Sequence, residues 1–485
     1  MPIGGLDVRG YHVTNIAIHL ACALLIFGIV RRTRGAPDLV AWAAALVWMV
    51  HPLQSEPIDY IVARTESLMS LCLLLTLYCS VREWRIAAIA ACAAGMACKE
   101  TMVVAPLLIV LYDVTFARGR MKDRRAFYVA LAGTWSLLAV LAAPSPRGYS
   151  AGFDAGAGSA QSSVWNYLLN QAVLVTRYLR LLLWPRGLVL DYGYPRTLTL
   201  AQVWPSALAV AALLGVTVLA IRRWPVAAFA GAWLFLVLAP TSSVVPIVTE
   251  AGAERRMYAA AIPLVALTAA ALWTAIAGAL HGEPRRRVTF AVLVSAVAIA
   301  LAAGTISRNR EYRSPLTMWE TVVERWPNGR AYSNLATELQ MAGRTSEVIP
   351  ALRLAVGDFP EAGYDLGVQL ITAGARPDGI EQLETFLRRV PGHPRSASAR
   401  TLLMRAWTDE GIARASAGQR AAAVQAFEAA LAFDAESADL HKNLANALLE
   451  AGDAARAAEQ AREALRLRPG DRDAQDVLER SGTKR

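Results

Sequence analysis

The sequence predicts an all-α protein in two parts. A multi-span helical membrane bundle covers residues 1–310. After a linker at 311–330, a soluble helical-repeat solenoid covers 331–485. Three observations predict this. The 485 residues are 55% hydrophobic, with a mean hydropathy of +0.34, too apolar for an ordinary soluble protein and too long for one domain. The long apolar runs stop near Arg308. Beyond Trp319 the pattern becomes helical, rich in Ala and Leu and punctuated by glycine.

A spanning helix needs about 20 mostly apolar residues, and fewer where it is broken or shielded. Candidate spans are 11–30, 39–50, 60–80, 86–98, 102–116, 126–143, 204–221, 226–239, 258–280 and 288–306, about ten in all. The net charge of +10 is not spread as a nucleic-acid surface would require. It falls in clusters between runs: Arg31, Arg32 and Arg34; Arg82 and Arg85; Arg118, Arg120, Lys122, Arg124 and Arg125; Arg222 and Arg223; Arg285, Arg286 and Arg287. Clusters in alternate connections are a topology signal, because basic loops stay cytoplasmic. Placing them all inside starts the N-terminus outside and releases the chain outside after the last span, so the repeats are expected to be extracytoplasmic.

The stretch 165–184 is long enough to span but carries Arg177 and Arg180, each costing about 2.5–3.5 kcal/mol at a bilayer centre. It is expected to lie at the outer interface, with Trp165, Tyr167, Tyr178 and Trp184 at headgroup depth. Residues 1–10 lack the basic region and cleavage site of a signal peptide. Cys22, Cys72, Cys79, Cys92 and Cys98 all sit in apolar runs without metal-ligand spacing and read as packing residues.

In the soluble part, Gly343, Gly374, Gly418 and Gly452 each end a short helix. Seventeen residues later come Pro360, Pro391, Ala435 and Pro469; eight residues earlier come Leu335, Leu366, Glu410 and Leu444. The last two glycines are 34 residues apart, the tetratricopeptide period. Ala423 with Ala457 and Ala430 with Ala464 repeat in register, small enough for close helix pairing. The spacing of 44 from Gly374 to Gly418 leaves about ten extra residues there. About four repeats make a solenoid with a concave face suited to an extended peptide or a partner helix.

Several polar groups fall at the expected outer ends of the spans. His51-Pro52-Leu53-Gln54-Ser55-Glu56 follows the second span, with Asp59, Tyr60 and Arg64 beyond. Pro52 ends the helix, freeing His51 and Glu56 to orient a hydroxyl or to cap the helix end against Arg64. Lys99 and Glu100 stand between two short apolar segments, where a charged pair needs a task or turns a hairpin. A lysine there can hold a lipid-linked phosphate. Glu254-Arg255-Arg256-Met257-Tyr258 puts two arginines on an outer loop, against the charge bias, where they suit phosphate or lipid headgroups. Asp191-Tyr192 is a weaker signal. No Gly-rich phosphate loop, zinc motif or serine-nucleophile elbow stands out, so the sequence assigns no metal and no cofactor.

Gly10-Tyr11-His12-Val13-Thr14-Asn15 with His19, then His51-Pro52 with Glu56 and Arg64, then Lys99-Glu100, then Glu254-Arg255 with Tyr258, then the repeats: this order resembles the transmembrane-and-tetratricopeptide O-mannosyltransferase family and its bacterial relatives, polytopic glycosyltransferases of the GT-C fold. The resemblance implies transfer of a sugar, mannose in that family, from a polyprenyl-phosphate donor to a protein Ser/Thr hydroxyl on the extracytoplasmic face of a bacterial inner membrane. In that family Lys99 and Arg255 would be phosphate ligands and Glu56 part of the acidic second outer loop; with these, Glu56 and His51 are expected to be catalytic, Arg64 to join the donor-phosphate contacts, and Glu100 and Tyr258 to support them. The repeats would present the protein acceptor, and the other partners are membrane lipids. The family's first span and acidic first outer loop do not match this sequence, which starts at what reads as the end of that loop. Asp7 does not match the setting of that motif. The competing reading is a non-catalytic membrane anchor for a tetratricopeptide scaffold.

Overall fold

The computed structural model describes residues 8–33, 35–117, 121–142, 163–242, 247 and 249–482. Arg34, Arg118, Arg120 and Asp7 lie outside the described residues. The described residues are helical and irregular, without strands, in two compact units, Met1–Trp326 and Pro327–Arg485.

The first unit contains α1 (Val8–Arg32), α2 (Asp38–Met49), α3 (Glu56–Asp59), α4 (Arg64–Val81), α5 (Arg85–Cys98), α6 (Ala105–Phe116), α7 (Arg125–Gly133), α8 (Trp135–Ala142), α9 (Val164–Leu183), α10 (Leu200–Arg223), α11 (Pro225–Leu238), α12 (Met257–Ala260), α13 (Ile262–Ala279), α14 (Glu283–Glu311) and α15 (Pro315–Arg325). Five helical stretches among the described residues are long and apolar enough to cross a bilayer: Val8–Arg32, Ile61–Val81, Leu200–Arg223, Ile262–Ala279 and Glu283–Glu311. At 1.5 Å per residue, 18–29 residues reach about 27–44 Å, against about 30 Å of hydrocarbon. The other expected spans are shorter helices such as α2, α5 and α11, and 126–143 breaks at Thr134 into α7 and α8. Leu208, Leu219, Val292 and Ile299 point outward from α10 and α14. Exposed apolar helix faces of this extent suit lipid rather than water. The protein is a multi-pass membrane protein.

The helix ends sort into two sets. At one end Arg32 lies over the Tyr78 ring, and Arg124 donates to the Ser80 carbonyl (3.0 Å) and to Asp113 (2.6 Å). Arg124 is buried, and Tyr128 also donates to Asp113 (2.7 Å). At the other end, the Thr305 hydroxyl near the end of α14 donates to the Val50 carbonyl just past α2 (2.7 Å). Helices α9, α12 and α15 and the loops beside them belong to this second end.

Helix α9 lies across that end. Along its length Tyr167 donates to the Thr241 carbonyl (2.6 Å), Gln171 to the Ala251 carbonyl (2.8 Å), and the Leu182 carbonyl accepts from His51 (3.0 Å). Trp165 and Trp184 are exposed, as an interfacial helix needs, but Tyr167 and Tyr178 are fully buried. Their hydroxyls serve the loop beneath them, so both rings pack inside the protein instead of facing lipid.

The expected linker 311–330 instead carries α15, held to the end of α14 by Arg325, which donates to Glu311 (2.8 and 3.0 Å).

The second unit stacks antiparallel pairs: α16 (Gly329–Met341) with α17 (Val348–Ala355), α18 (Gly363–Thr372) with α19 (Arg376–Arg389), α20 (Ser396–Ser416) with α21 (Arg420–Leu431), and α22 (Ala438–Glu450) with α23 (Ala454–Leu467), closed by α24 (Arg472–Arg480). Gly343, Gly374, Gly418 and Gly452 have φ of 75°, 86°, 74° and 87°. This is the left-handed helix stop that favours glycine, and it sets the punctuation. The extra residues of the third repeat lengthen α20 to 21 residues instead of forming a loop. Ala423, Ala457 and Ala461 are buried between Phe427, Leu444 and Leu448. This is a tetratricopeptide-type α-solenoid.

Candidate functional site

The second end of the membrane unit is built around breaks in helices. Pro52 stops α2. His51 Nδ1 accepts from the Leu53 amide (3.1 Å), which leaves the ring proton on Nε2 to donate to the Leu182 carbonyl (3.0 Å). Both ring nitrogens are spent on backbone, and burial lowers the pKa to about 4. His51 therefore joins a helix end to α9, which corrects its candidate role as a catalytic group.

A second break lies between α12 and α13. Pro263 has no N–H, so the Ala259 carbonyl lacks its usual helical donor. Trp233 Nε1 supplies one at 3.0 Å, and Trp48 Nε1 donates to the neighbouring Tyr258 carbonyl at 3.0 Å. The Tyr258 hydroxyl meets His19 Nδ1 at 2.8 Å, and His19 Nε2 meets the Met49 carbonyl at 2.9 Å. Tyr258 is thus fully buried and ties α1 and α2 to the loop that carries Arg255.

Arg255 sits at the centre of this end. Its backbone N–H and Nη1 donate to the two oxygens of Glu56 (2.9 and 2.6 Å), and Nη2 donates to both oxygens of Glu250 (2.6 and 2.7 Å). Glu56 is 1% exposed. Burial pushes its carboxyl up, and the Arg255 contacts oppose that shift. With both oxygens held by Arg255, Glu56 is a positioning residue in this arrangement rather than an open base. Arg256, also buried, donates to the carbonyls of Thr241 (2.9 Å) and Glu250 (3.3 Å).

Lys99 pairs with Glu66 (2.6 Å), not with its neighbour Glu100, which is exposed. Lys99 follows the last residue of α5, where a cation is favoured by the helix dipole. Glu66 lies in the first turn of the adjacent α4, and a small cavity is lined by Glu66, Thr101, Thr241 and Arg256. The structure therefore brings Lys99–Glu66 beside Arg256–Glu250–Arg255–Glu56. Lys99 and Arg255 keep 18% and 21% of their side chains exposed. Arg64 stands apart: its Nε donates to Asn15 Oδ1 (2.7 Å), it stacks over Tyr11, and Asn15 donates in turn to the Ile58 carbonyl (2.9 Å). It clamps α1 to the start of α4, Asn15 ties α1 to α3, and no hydrogen bond or ion pair joins Arg64 to Glu56.

Glu250 joins the site without having been singled out in the sequence, and Glu254 and Asp59, named there only as neighbours of Arg255 and Glu56, lie at the same end. Glu254 accepts from the Val189 amide (2.7 Å) and the Tyr192 hydroxyl (2.9 Å), which draws the weakly signalled Asp191-Tyr192 segment into this end. Burial raises its pKa to about 7. Asp59 is half-buried, and burial raises its pKa to about 6.

No protein-family model matches the chain. It is 28% identical over 234 residues to protein O-mannosyl-transferase Tmtc1 of Drosophila melanogaster, covering 42% of this chain and 27% of that protein. It is 27% identical over 219 residues to Tmtc2 of the same organism, covering 41% of this chain and 23% of that protein. The matched region thus spans about a quarter of the length of these relatives. Among solved structures, a MamA protein is 21% identical over 32% of this chain and 80% of that chain (TM-score 0.23), and YrrB, a TPR protein, is 19% identical over 39% and 89% (TM-score 0.23). With its apolar helices and its repeats, the chain is similar over the matched residues to the transmembrane-and-tetratricopeptide proteins Tmtc1 and Tmtc2.

Proposed function

We propose that this chain is a membrane glycosyltransferase that moves a sugar, mannose by family resemblance, from a polyprenyl-phosphate donor to a serine or threonine hydroxyl of a protein on the extracytoplasmic face. The observation that carries this reading is the charge network Lys99–Glu66 and Arg256–Glu250–Arg255–Glu56 at the end of the bundle away from the basic clusters. Positive-inside topology assigns the basic end to the cytoplasm and the network to the other side.

Lys99 spends one N–H on Glu66, and Arg255 keeps its Nε–H beyond the bonds to Glu56 and Glu250. The carboxylates hold both cations in place, and the remaining donors accept the donor phosphate. The acceptor oxygen bonds to the anomeric carbon as the bond from that carbon to the phosphate oxygen breaks. Lys99 and Arg255 stabilise the charge that gathers on the departing phosphate. Asp59 is the carboxylate best suited to take the hydroxyl proton: it is partly open, and its pKa of about 6 lies near working pH. Glu56 positions Arg255. The repeats hold the protein acceptor.

The test is transfer of labelled mannose from a mannosyl-phosphoryl polyprenol to a Ser/Thr-rich peptide by the full chain in proteoliposomes. Wild type should transfer, and Lys99→Ala and Arg255→Ala should each lose most of the rate. Undiminished transfer by both variants overturns the assignment. Neither transfer nor a donor-dependent thermal shift in wild type would favour a scaffold.

A further inference from the structure

Beside the donor site, but separate from it, the membrane unit holds a pocket of about 240 Å³ lined by Arg177, Arg180, Leu181, Arg186, Gly187 and Arg325. We propose that this pocket binds the phosphate of a membrane lipid.

Four of its six lining residues are arginines, and the carboxylate supply is thin. Arg325 shares Glu311 with Arg308. Arg177 donates to the Tyr192 hydroxyl (2.9 Å) and the Gly187 carbonyl (2.6 Å), both neutral. Its guanidinium lies between the rings of Tyr192 and Trp326, at 5.4 and 4.7 Å. It is therefore held rigid with no carboxylate bonded to it directly, Glu254 being reached only through the Tyr192 hydroxyl. Arg186 rests on the Trp184 ring (5.0 Å). Among the described residues, no carboxylate pairs with Arg177, Arg180 or Arg186. A concave site with this much guanidinium lacking a direct carboxylate partner takes an anion, and planar forks of N–H donors match phosphate.

The surroundings say the anion is borne by a lipid. Arg180 and Leu181 lie in the last turn of α9, and the next residues, Leu183 and Trp184, are 80% and 57% exposed. An exposed tryptophan and leucine beside exposed arginines suit the boundary between headgroups and acyl chains. Gly187, at φ +80°, turns the chain so that its carbonyl meets Arg177 and the loop closes the pocket. A side chain is strained in that conformation. This pocket goes beyond the donor assignment and stands whether or not Lys99 and Arg255 hold the donor.

The test uses the full chain in mild detergent, with farnesyl phosphate and short-chain phosphatidylglycerol as separate probes of binding. In Arg180→Gln/Arg186→Gln, affinity for at least one probe should fall roughly tenfold or more, because two charge-assisted contacts are lost. Loss for farnesyl phosphate alone identifies an isoprenoid phosphate monoester as the ligand, and loss for both identifies a general lipid-phosphate site. Unchanged affinity for both overturns the proposal. Both arginines are exposed and outside the ion-paired network, so the fold should hold. If the double variant is nonetheless unstable, Arg180→Gln alone replaces it. That variant should bind more weakly and with a shallower salt dependence, because one cation is removed, and unchanged affinity and salt dependence refute the site.

Discussion

Arg255 illustrates how far a single residue is legible. Two arginines on an expected outer loop break the usual charge bias, so Arg255 and Arg256 stood out. The pairings did not: Glu56, itself a candidate, lies 199 positions from Arg255, and Glu66, the unnoticed partner of Lys99, lies 33 from it. Only the fold brings those carboxylates to the cations. The same limit explains His51, since the spacing His-Pro…Glu fits a catalytic pair as well as the helix-end link that the ring nitrogens form. A buried pair is most costly to break from one side. Arg255→Ala, which strands a fully buried Glu56, should cost about 3–5 kcal/mol. Arg255→Ala with Glu56→Gln should cost clearly less than the sum of the single changes, read by chemical unfolding in a double-mutant cycle. Additive losses would refute the coupling. Glu254 supplies a pH signature. Its folded-state pKa, about 7, exceeds the ordinary 4.5, so the folded protein binds this proton more tightly than the unfolded chain does. The contribution of Glu254 to stability is therefore fully present below pH 4.5 and is lost as pH rises through about 7. Asp59 adds a change of the same sign between 3.8 and about 6. Glu254→Gln should flatten the fall in Tm between about pH 5 and 7.5. An equally steep profile in that variant would show that Glu254 does not titrate there.

Among the elements, the repeat helices were the most legible and the membrane helices less so. Gly343, Gly374, Gly418 and Gly452 announce their helix ends because each adopts a left-handed stop that other residues resist. The insertion in the third repeat is different. Extra polar-and-alanine sequence reads equally as loop or helix, and packing against α21 makes it part of α20. Hydropathy also overstates the length of several spans, because an apolar run cannot reveal a break such as Thr134. Helix α9 was placed by its arginines, yet its tyrosines were not, since burial depends on the loop it covers. That loop is close-packed at Gly252, where a Cβ would lie 2.7 Å from the Tyr178 hydroxyl and 2.8 Å from Leu174. Tyr178 cannot move freely, because its hydroxyl accepts from the Ala253 amide (2.8 Å). Gly252→Val should therefore destabilise the membrane unit by about 1–3 kcal/mol through overpacking and should weaken donor binding by displacing Arg255. Gly215→Ala, in the interior of α10 with open space around it, should stabilise by about 0.5–1 kcal/mol. Thermal unfolding of the two variants side by side checks both signs.

At the scale of the whole molecule, the function depends on which side each end of the bundle occupies. The fold gives this question a geometry. The α4–α5 turn carries Arg82 and Arg85, and Arg124 reaches back to Ser80 beside it. Helix α10 ends in Arg222 and Arg223, and its antiparallel neighbour α11 returns to Thr241 at the candidate site, so those arginines lie at the far end. Helix α13 leaves the site just after Tyr258 of α12, and α14 returns to it at Arg308, so Arg285, Arg286 and Arg287 also lie at the far end. The described members of those basic clusters thus share one face, separated by the length of the helices from Lys99 and Arg255. The proposed topology keeps the arginine-rich turns on the cytoplasmic side and so puts the charge network, and the chain emerging from α14, on the opposite side. Single cysteines distinguish the two faces. Native Cys22, Cys72, Cys79 and Cys92 are buried and Cys98 is partly buried, so a Cys98→Ala background should be silent towards a membrane-impermeant maleimide. In that background, Ala451→Cys in the repeats should react in intact cells with permeable outer envelopes, and Arg285→Cys only after the inner bilayer is opened. The reverse pattern would put the repeats in the cytoplasm. It would also place the candidate site on the side where basic loops are retained, and the proposed transfer to an exported protein would fall with it.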